Sequence, residues 1–172
     1  SSWHGTQTAA LIGAGTNNSV GMAGLGGDVM ILPVRVLGKC KGFDSDIIAG
    51  MRWAVGLSVP GVPVNPHVAK VLNMSLGSER PCGAAYADVI SQVNATGAVV
   101  VASAGNEGLA VEAPANCPGA IAVAGVRHTG TKVGFSSLGP EVALSAPGGN
   151  YLPVSQVIDE RMRVRIREEL GD

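Results

Sequence analysis

The stretch that most constrains this chain is a short apolar run that ends abruptly in small, turn-forming residues. Residues 98–102 read AVVVA, and the chain continues as Ser-Ala-Gly-Asn-Glu-Gly. A continuous apolar run of this length, bounded by turn residues, is typical of a strand that is buried on both faces. The polar amide of Asn106 therefore stands at the carboxyl end of a core strand. In open α/β sheets, ligands bind at the carboxyl ends of the strands, so Asn106 is the first candidate for a functional residue.

The side chain of Asn106 allows two interpretations. An amide offers two N–H donors, which can stabilise the negative charge that develops on a reacting carbonyl oxygen. Alternatively, the amide caps the turn that follows the strand. The stretch by itself does not decide between these two roles.

Helix and strand patterns alternate along the chain, which predicts an α/β fold. A short buried helix is predicted to begin between residues 4 and 6 and to be stopped by Gly13 and Gly15. Asp44 or Ser45 is predicted to cap a second helix that ends near residue 54, and a third is predicted over residues 84–96. Strands are predicted over residues 28–37, 68–75, 98–102, 120–126, 132–135 and 142–146. Strands joined by single helices at short intervals predict right-handed crossovers and a parallel sheet.

Composition fits this fold and narrows the class of partner. The 172 residues are 46% hydrophobic but only 3% aromatic, as in a core of Ala, Val, Ile and Leu between a parallel sheet and its helices. The net charge of −1 indicates neither nucleic acid nor a membrane surface as a partner. No apolar run is long enough to cross a bilayer, and the N-terminus does not read as a signal peptide. We expect the chain to begin inside structure.

The last 22 residues differ in character from the rest of the chain. The segment RMRVRIREE alternates arginine with Met162, Val164 and Ile166, a pattern typical of an exposed strand. The shift in composition favours a foreign tail, from a change of reading frame or an error in the gene model, over a genuine surface hairpin or charged helix. We therefore divide the chain into a globular domain over residues 1–150 and a divergent charged tail over residues 151–172.

The chain has three cysteines, Cys40, Cys82 and Cys117. Three cysteines are too few for a disulfide scaffold, and an odd number leaves one cysteine without a partner. A surface disulfide in a secreted protein and buried reduced thiols in a cytosolic protein both agree with the spacing.

Three blocks, HGT, NMSLGS and ASAGNEG, occur in this order and are joined by βαβ-like segments. Together they resemble the subtilisin-like serine proteases, the subtilase family, over about residues 3–150. The segments NNSVGMAGL, ILPVRVLG and FSSLGPEVALSAPGG lie between and after the blocks as the resemblance requires, and the secreted bacterial branch is the most similar. The resemblance implies a three-layer αβα fold with a mainly parallel sheet, incomplete here, in a secreted or extracellular serine endopeptidase.

The resemblance also implies a role for individual residues. His4 corresponds to the general base of a Ser-His-Asp triad, and Asn106 to the side-chain donor of the oxyanion hole. A substrate-binding edge strand would consist of Ser75, Leu76 and Gly77, which pair with the main chain of a peptide. A wall of the pocket for the side chain that precedes the cleaved bond would consist of Ser103, Ala104 and Gly105. The implied partner is a protein or peptide substrate, and the implied state is a monomer.

Two members of the triad are not found in matching contexts. In subtilases the aspartate lies on a strand upstream of the histidine, and the serine follows in a Gly-Thr-Ser helix start far downstream. Here only three residues precede His4, and Gly-Thr-Ser does not occur. We therefore expect residues 1–150 to form a partial peptidase domain that is inactive by itself. The alternative is a non-catalytic peptide-binding module. Nucleotide binding is the least favoured function, because the glycine runs lack the GxGxxG spacing.

A metal site and a disulfide are implied only through the resemblance. The loop over residues 17–22 resembles a calcium loop that binds through Asn18 Oδ1 and the carbonyl oxygens of Val20 and Met22. Part of that site would come from the absent N-terminal region, so no cofactor is expected for this chain, and Ca²⁺ is considered for the complete protein. Cys40 is expected to pair with Cys82, which leaves Cys117 to a partner in the region that the tail replaces.

Overall fold

A computed structural model describes residues 3–39 and 41–150, which contain a four-stranded parallel sheet. The strands lie in the order β1-β2-β3-β4, and every neighbouring pair is parallel. The predicted α/β fold with a parallel sheet is confirmed. The elements in chain order are α1 (His4–Gly13), α2 (Asp44–Ala54), β1 (Val71–Met74), α3 (Ala84–Ala95), β2 (Val99–Ser103), β3 (Ala120–Val126) and β4 (Val142–Pro147).

The charged tail and the proposed domain boundary at residue 150 are not tested by this structure. Residues 151–172 lie outside the described residues, so the exposed strand and the foreign origin expected for them stay predictions. None of the helices in the described residues has both the length and the apolar character that a membrane span requires.

The core lies on one face of the sheet. Alternate residues of the first three strands point into it: Leu72 pairs with Val100, Ala102 pairs with Ala122, and all four are buried. Helix α3 covers this face with Val89, Ile90 and Val93, which are almost completely buried, and α2 packs against α3. Small aliphatic side chains therefore fill the space between helix and sheet, as the composition predicted.

The opposite face of the sheet is only partly covered by the described residues. Val71 on β1 and Leu144 on β4 are each 59% exposed, and Val99 on β2 is 39% exposed. A strand does form here, but the prediction that residues 98–102 are buried on both faces of the sheet is wrong. An apolar run fixes strand formation, but only the surrounding elements decide which face is covered.

Two of the predicted strands do not form. Residues 28–37 pair with no strand in the described structure, and Val34 and Val36 instead pack as partly buried side chains against the core. Residues 132–135 make a single bridge, between Lys132 and Val126, because the chain turns back on the end of β3 there. The remaining strands form as predicted, with β1 shorter than its predicted range.

The N-terminus of α2 is not capped by a side chain. The N-cap residue is Phe43, so Asp44 is already helical, and the predicted cap by Asp44 or Ser45 is wrong. Asp44 Oδ1 instead accepts hydrogen bonds from Arg80 Nη2 at 2.6 Å and Tyr86 Oη at 3.2 Å. The hydrogen bond from Arg80 lowers the pKa of Asp44, and burial, followed by the charge of Asp44, raises the pKa of Tyr86 to about 12.

We expect Asp44→Asn to lower the free energy of unfolding at pH 7 by less than about 1 kcal/mol, because both partners of the ion pair are largely exposed. The folded pKa of Asp44 lies below its ordinary value of 3.8. The contribution of the pair is thus present above that value and lost as the pH falls through the folded pKa. Urea unfolding of both proteins at pH 7 and in acid measures this. Asp46→Asn, which removes a neighbouring carboxylate without touching Arg80, is the control. An equal loss in both variants, or a difference that persists in acid, contradicts the prediction.

One disulfide joins two segments that are distant in sequence. Cys82, just before α3, is bonded to Cys117, just before β3, with 5.0 Å between their Cα atoms. The expected pair of Cys40 with Cys82, and a partner elsewhere for Cys117, are therefore wrong. The two segments meet because Ser78 and Ala113 form an antiparallel bridge, a contact that cysteine spacing does not reveal.

Candidate active site

The carboxyl ends of β1 and β2 bring two of the predicted site segments side by side. The last paired residues of these strands are Met74 and Ala102. Residues 75–77 follow β1, and residues 103–105 begin with Ser103, the last residue of β2. Because neighbouring parallel strands end at the same edge of a sheet, the two segments lie beside each other at that edge.

The segment over residues 75–77 has an open side. In the described sheet β1 is an edge strand, with β2 on one side only. Ser75 and Leu76 are partly exposed and Gly77 is exposed, so the main chain here is accessible. A strand edge of this kind can accept an extended peptide by adding a further strand.

The amide of Asn106 is exposed and forms no hydrogen bond with any residue that the structure describes. The alternative that it caps the following turn is therefore wrong. The Asn106 main chain is held differently, because its N–H donates to Glu112 Oε1 at 3.1 Å. Both N–H donors of the side chain thus remain available for a ligand.

The main chain on both sides of Asn106 is held by hydrogen bonds to other segments. The carbonyl of Ala104 accepts from Glu112 N at 3.0 Å, and the carbonyl of Gly105 accepts from Ser137 N at 3.0 Å. Gly105 has a φ of +117°, a conformation that favours glycine. Further along, Gly108 N donates to the carbonyl of Phe135 at 2.7 Å. A free amide therefore projects from a fixed loop, which is the arrangement that a preorganised donor requires.

His4 is the first residue of α1 and is exposed. Its ring forms no hydrogen bond or ion pair with any of the described residues, and none joins it to Asn106 or to the two strand-end segments. The residue before it, Trp3, has a left-handed backbone with a φ of 55°. The described carboxylates therefore do not include one that orients this ring.

Glu112 is a residue of this site that the sequence reasoning did not single out. It follows Val111 in a largely apolar stretch, and it is only 9% exposed. Its carboxylate holds the main chain of Asn106, so it supports the loop that carries the candidate donor. A lone glutamate between apolar residues was the available signal, because a charged side chain there must be either solvated or partnered.

The candidate calcium loop offers few oxygen ligands by itself. The loop over residues 17–22 is exposed, and Asn18 Oδ1 accepts a hydrogen bond from Val20 N at 3.0 Å. With the carbonyl oxygens of Val20 and Met22 it offers three neutral ligands, whereas Ca²⁺ takes six to eight oxygens, commonly including carboxylates. The described residues also contain no group of three or more His, Cys, Asp or Glu side chains that could hold a metal ion. No step of the chemistry below involves calcium.

Comparisons with known proteins identify related sequences and a related structure. A family model described as the subtilase family, Peptidase S8, matches residues 1–168. The extracellular protease of Xanthomonas campestris pv. campestris is 43% identical over 154 residues, which cover 88% of this chain and 27% of that protein. The extracellular basic protease of Dichelobacter nodosus is 42% identical over 159 residues, which cover 91% of this chain and 26% of that protein.

A solved protease structure from Pseudoalteromonas arctica PAMC 21717 superposes with a TM-score of 0.84 at 43% identity, and covers 86% of this chain and 44% of that one. The chain spans about a quarter of the length of the two extracellular proteases, 27% and 26% respectively. The similarity therefore concerns one part of those proteins.

Proposed function

Because this chain belongs to the subtilase family, we propose that the protein that contains it is a serine-type endopeptidase acting on protein or peptide substrates. The observation that carries this proposal is the free amide of Asn106, which projects from a loop fixed by Glu112 at the edge of the sheet. Such a donor is useful where negative charge develops on a carbonyl oxygen during acyl transfer.

In the proposed reaction, His4 takes the proton from a serine hydroxyl as that oxygen attacks the peptide carbonyl, and later returns it to the leaving amine. The Asn106 amide donates to the carbonyl oxygen as it becomes negative. Residues 75–77 pair with the substrate main chain, and residues 103–105 form a wall for the side chain that precedes the cleaved bond.

We assign neither the serine nor the orienting carboxylate of the triad to a residue of this chain. The carboxylate of Asp44 is bound to Arg80. The hydroxyl of Ser136 is buried and occupied by the N–H of Gly125 and the carbonyl of Ser137. The proposed reaction leaves these two groups unassigned, and the 172-residue chain by itself is expected to be inactive.

Two observations support secretion. The relatives from Xanthomonas campestris and Dichelobacter nodosus are named extracellular proteases. The disulfide between Cys82 and Cys117 fits an oxidising compartment, since cytosolic thiols are kept reduced.

A second candidate function is peptide binding without cleavage. The open edge of β1 favours it, because binding an extended peptide there needs no nucleophile. Peptide cleavage distinguishes the two functions, because a binding module leaves intact a peptide that the proposed enzyme hydrolyses.

The test compares the 172-residue chain with the same chain expressed together with all flanking coding sequence. We expect peptide hydrolysis only from the longer protein. There, Asn106→Ala is expected to lower kcat by roughly 10²- to 10³-fold, the effect of removing one oxyanion-hole donor in subtilisin, a member of the same family. KM should change little, because the interaction forms mainly in the transition state.

The matched control is Asn94→Ala, which removes an exposed asparagine near the end of α3, at the opposite edge of the sheet from Asn106, and should leave kcat unchanged. The main-chain hydrogen bond to Glu112 persists in Asn106→Ala, so the thermal unfolding midpoint should stay unchanged. Saturable peptide binding without hydrolysis in the longer protein overturns the proposal in favour of the binding module.

A further inference from the structure

Glu112 is the only carboxylate or cationic side chain that is buried in the described part of the molecule. Main-chain hydrogen bonds made by Glu112 and by the next residue hold it at the site. Its N–H donates to the carbonyl of Ala104 at 3.0 Å, and the next residue, Ala113, exchanges hydrogen bonds of 3.0 and 3.2 Å with Ser78. The side chain is therefore anchored between the segments that continue from β1 and β2.

The carboxylate lies directly against two glycines of the predicted substrate-binding segments. A methyl group placed on Gly77 would lie 3.0 Å from Glu112 Oε2, and one on Gly105 would overlap the carboxyl group itself. Gly77 belongs to the predicted peptide-binding edge, and Gly105 to the predicted pocket wall. The negative charge thus occupies the space between these two surfaces, where the absence of side chains leaves room for it.

The charge of Glu112 is not neutralised by any described residue. Its carboxylate accepts one hydrogen bond, from the N–H of Asn106, and forms no salt bridge within residues 3–39 and 41–150. The cationic side chains of Arg80 and Lys132 have other partners. Arg80 binds Asp44, and Lys132 Nζ donates to three main-chain carbonyls. A buried carboxylate with a single amide donor is costly, and a cation brought by a ligand would relieve that cost.

We propose that Glu112 makes this cleft select peptides with arginine or lysine immediately before the cleaved bond. The inference rests on the proposed peptidase function and adds its substrate class. A guanidinium or ammonium group that enters between residues 75–77 and 103–105 meets the Glu112 carboxylate and forms a charge-assisted hydrogen bond. A neutral side chain of the same shape leaves the carboxylate unpaired.

The experiment uses the protein expressed with its flanking coding sequence and peptides that differ only in the residue before the cleaved bond. Arginine is compared with citrulline, its neutral isostere, and lysine with norleucine. We expect kcat/KM to be roughly 10- to 100-fold higher for the cationic member of each pair, the range for one hydrogen bond to a charged group. This comparison is made on the unmodified protein, so it holds even if a variant fails to fold.

Glu112→Gln then removes the charge but keeps an oxygen that can accept the hydrogen bond from Asn106. We expect it to lower kcat/KM for the arginine peptide by a similar factor and to change the value for the citrulline peptide by less than about threefold. Glu141→Gln is the matched control. This exposed carboxylate lies just before the first residue of β4, whereas the candidate site lies at the carboxyl ends of the strands. It should change none of the four values.

Each outcome decides the question. Equal hydrolysis of arginine and citrulline peptides by the unmodified protein overturns the proposed selectivity and leaves the peptidase function standing. An equal loss on both peptides in Glu112→Gln also overturns it, because that result assigns Glu112 a purely structural role in holding the Asn106 loop. No hydrolysis of any peptide overturns the peptidase function and the selectivity together.

Discussion

Replacing His4 by alanine is expected to lower kcat for peptide hydrolysis by about 10⁶-fold in the protein expressed with its flanking coding sequence. The loss of the corresponding base in subtilisin, a member of the same family, has an effect of this size. Without the imidazole, no group takes the proton from the attacking hydroxyl, and covalent catalysis fails. The residual rate reflects substrate binding and the Asn106 donor alone.

The chain provides two matched controls for this experiment, because it has three histidines. His67 and His128 are also exposed, and His128 Nδ1 lies 3.0 Å from Asn150 Oδ1. Alanine at either position should leave kcat within about threefold. His4 makes no side-chain hydrogen bond with the described residues, so its replacement should not move the thermal unfolding midpoint. A loss below about 100-fold in His4→Ala would show that another residue is the base.

The second large effect concerns stability. Replacing both Cys82 and Cys117 by serine is expected to lower the free energy of unfolding by about 4 kcal/mol. The bond closes a loop with a sequence separation of 35 residues, and the chain-entropy model gives that cost for opening a loop of this length. Urea unfolding of the oxidised protein and of the double variant measures the difference. The reduced protein should match the double variant, since each lacks the same crosslink.

Counting free thiols tests the pairing independently. The 172-residue chain has three cysteines, and one bond leaves a single thiol per chain, which a thiol reagent titrates in denaturant. Cys40→Ser should reduce that number to zero and leave the disulfide intact. A free thiol that remains in Cys40→Ser, with a stability loss as large as in the double variant, would instead support a bond between Cys40 and Cys82.

The sequence predicted most of the architecture because its patterns are local. Helix α3 and strand β3 form close to their predicted ranges, since apolar residues at helical or strand spacing carry that information directly. The order of HGT, NMSLGS and ASAGNEG also identified the family, and the match of the family model over residues 1–168 confirms it. Residues 28–37 show the limit of local patterns, since a strand also needs a partner for its main chain, and none is present in the described structure.

Contacts between distant segments could not be predicted in the same way. The cysteine spacing left the pairing open and the resemblance suggested the wrong partner, because the Ser78–Ala113 bridge that brings Cys82 to Cys117 depends on how two loops cross. Similarly, the amide of Asn106 could have been a cap or a ligand donor. The hydrogen bond from its main chain to Glu112 excludes neither role, but the absence of any side-chain partner among the described residues excludes the cap.

The sequence by itself determined the α/β class, the order of the main elements, and the family. It also placed Asn106 at the end of a core strand, because apolar periodicity and turn residues act over a few neighbouring positions. Only the tertiary structure decided that Cys82 bonds Cys117, that one face of the sheet is the core, and that Glu112 lies buried between Gly77 and Gly105. These features arise where loops from separate strands meet, and the charge and shape of the candidate peptide cleft are set there.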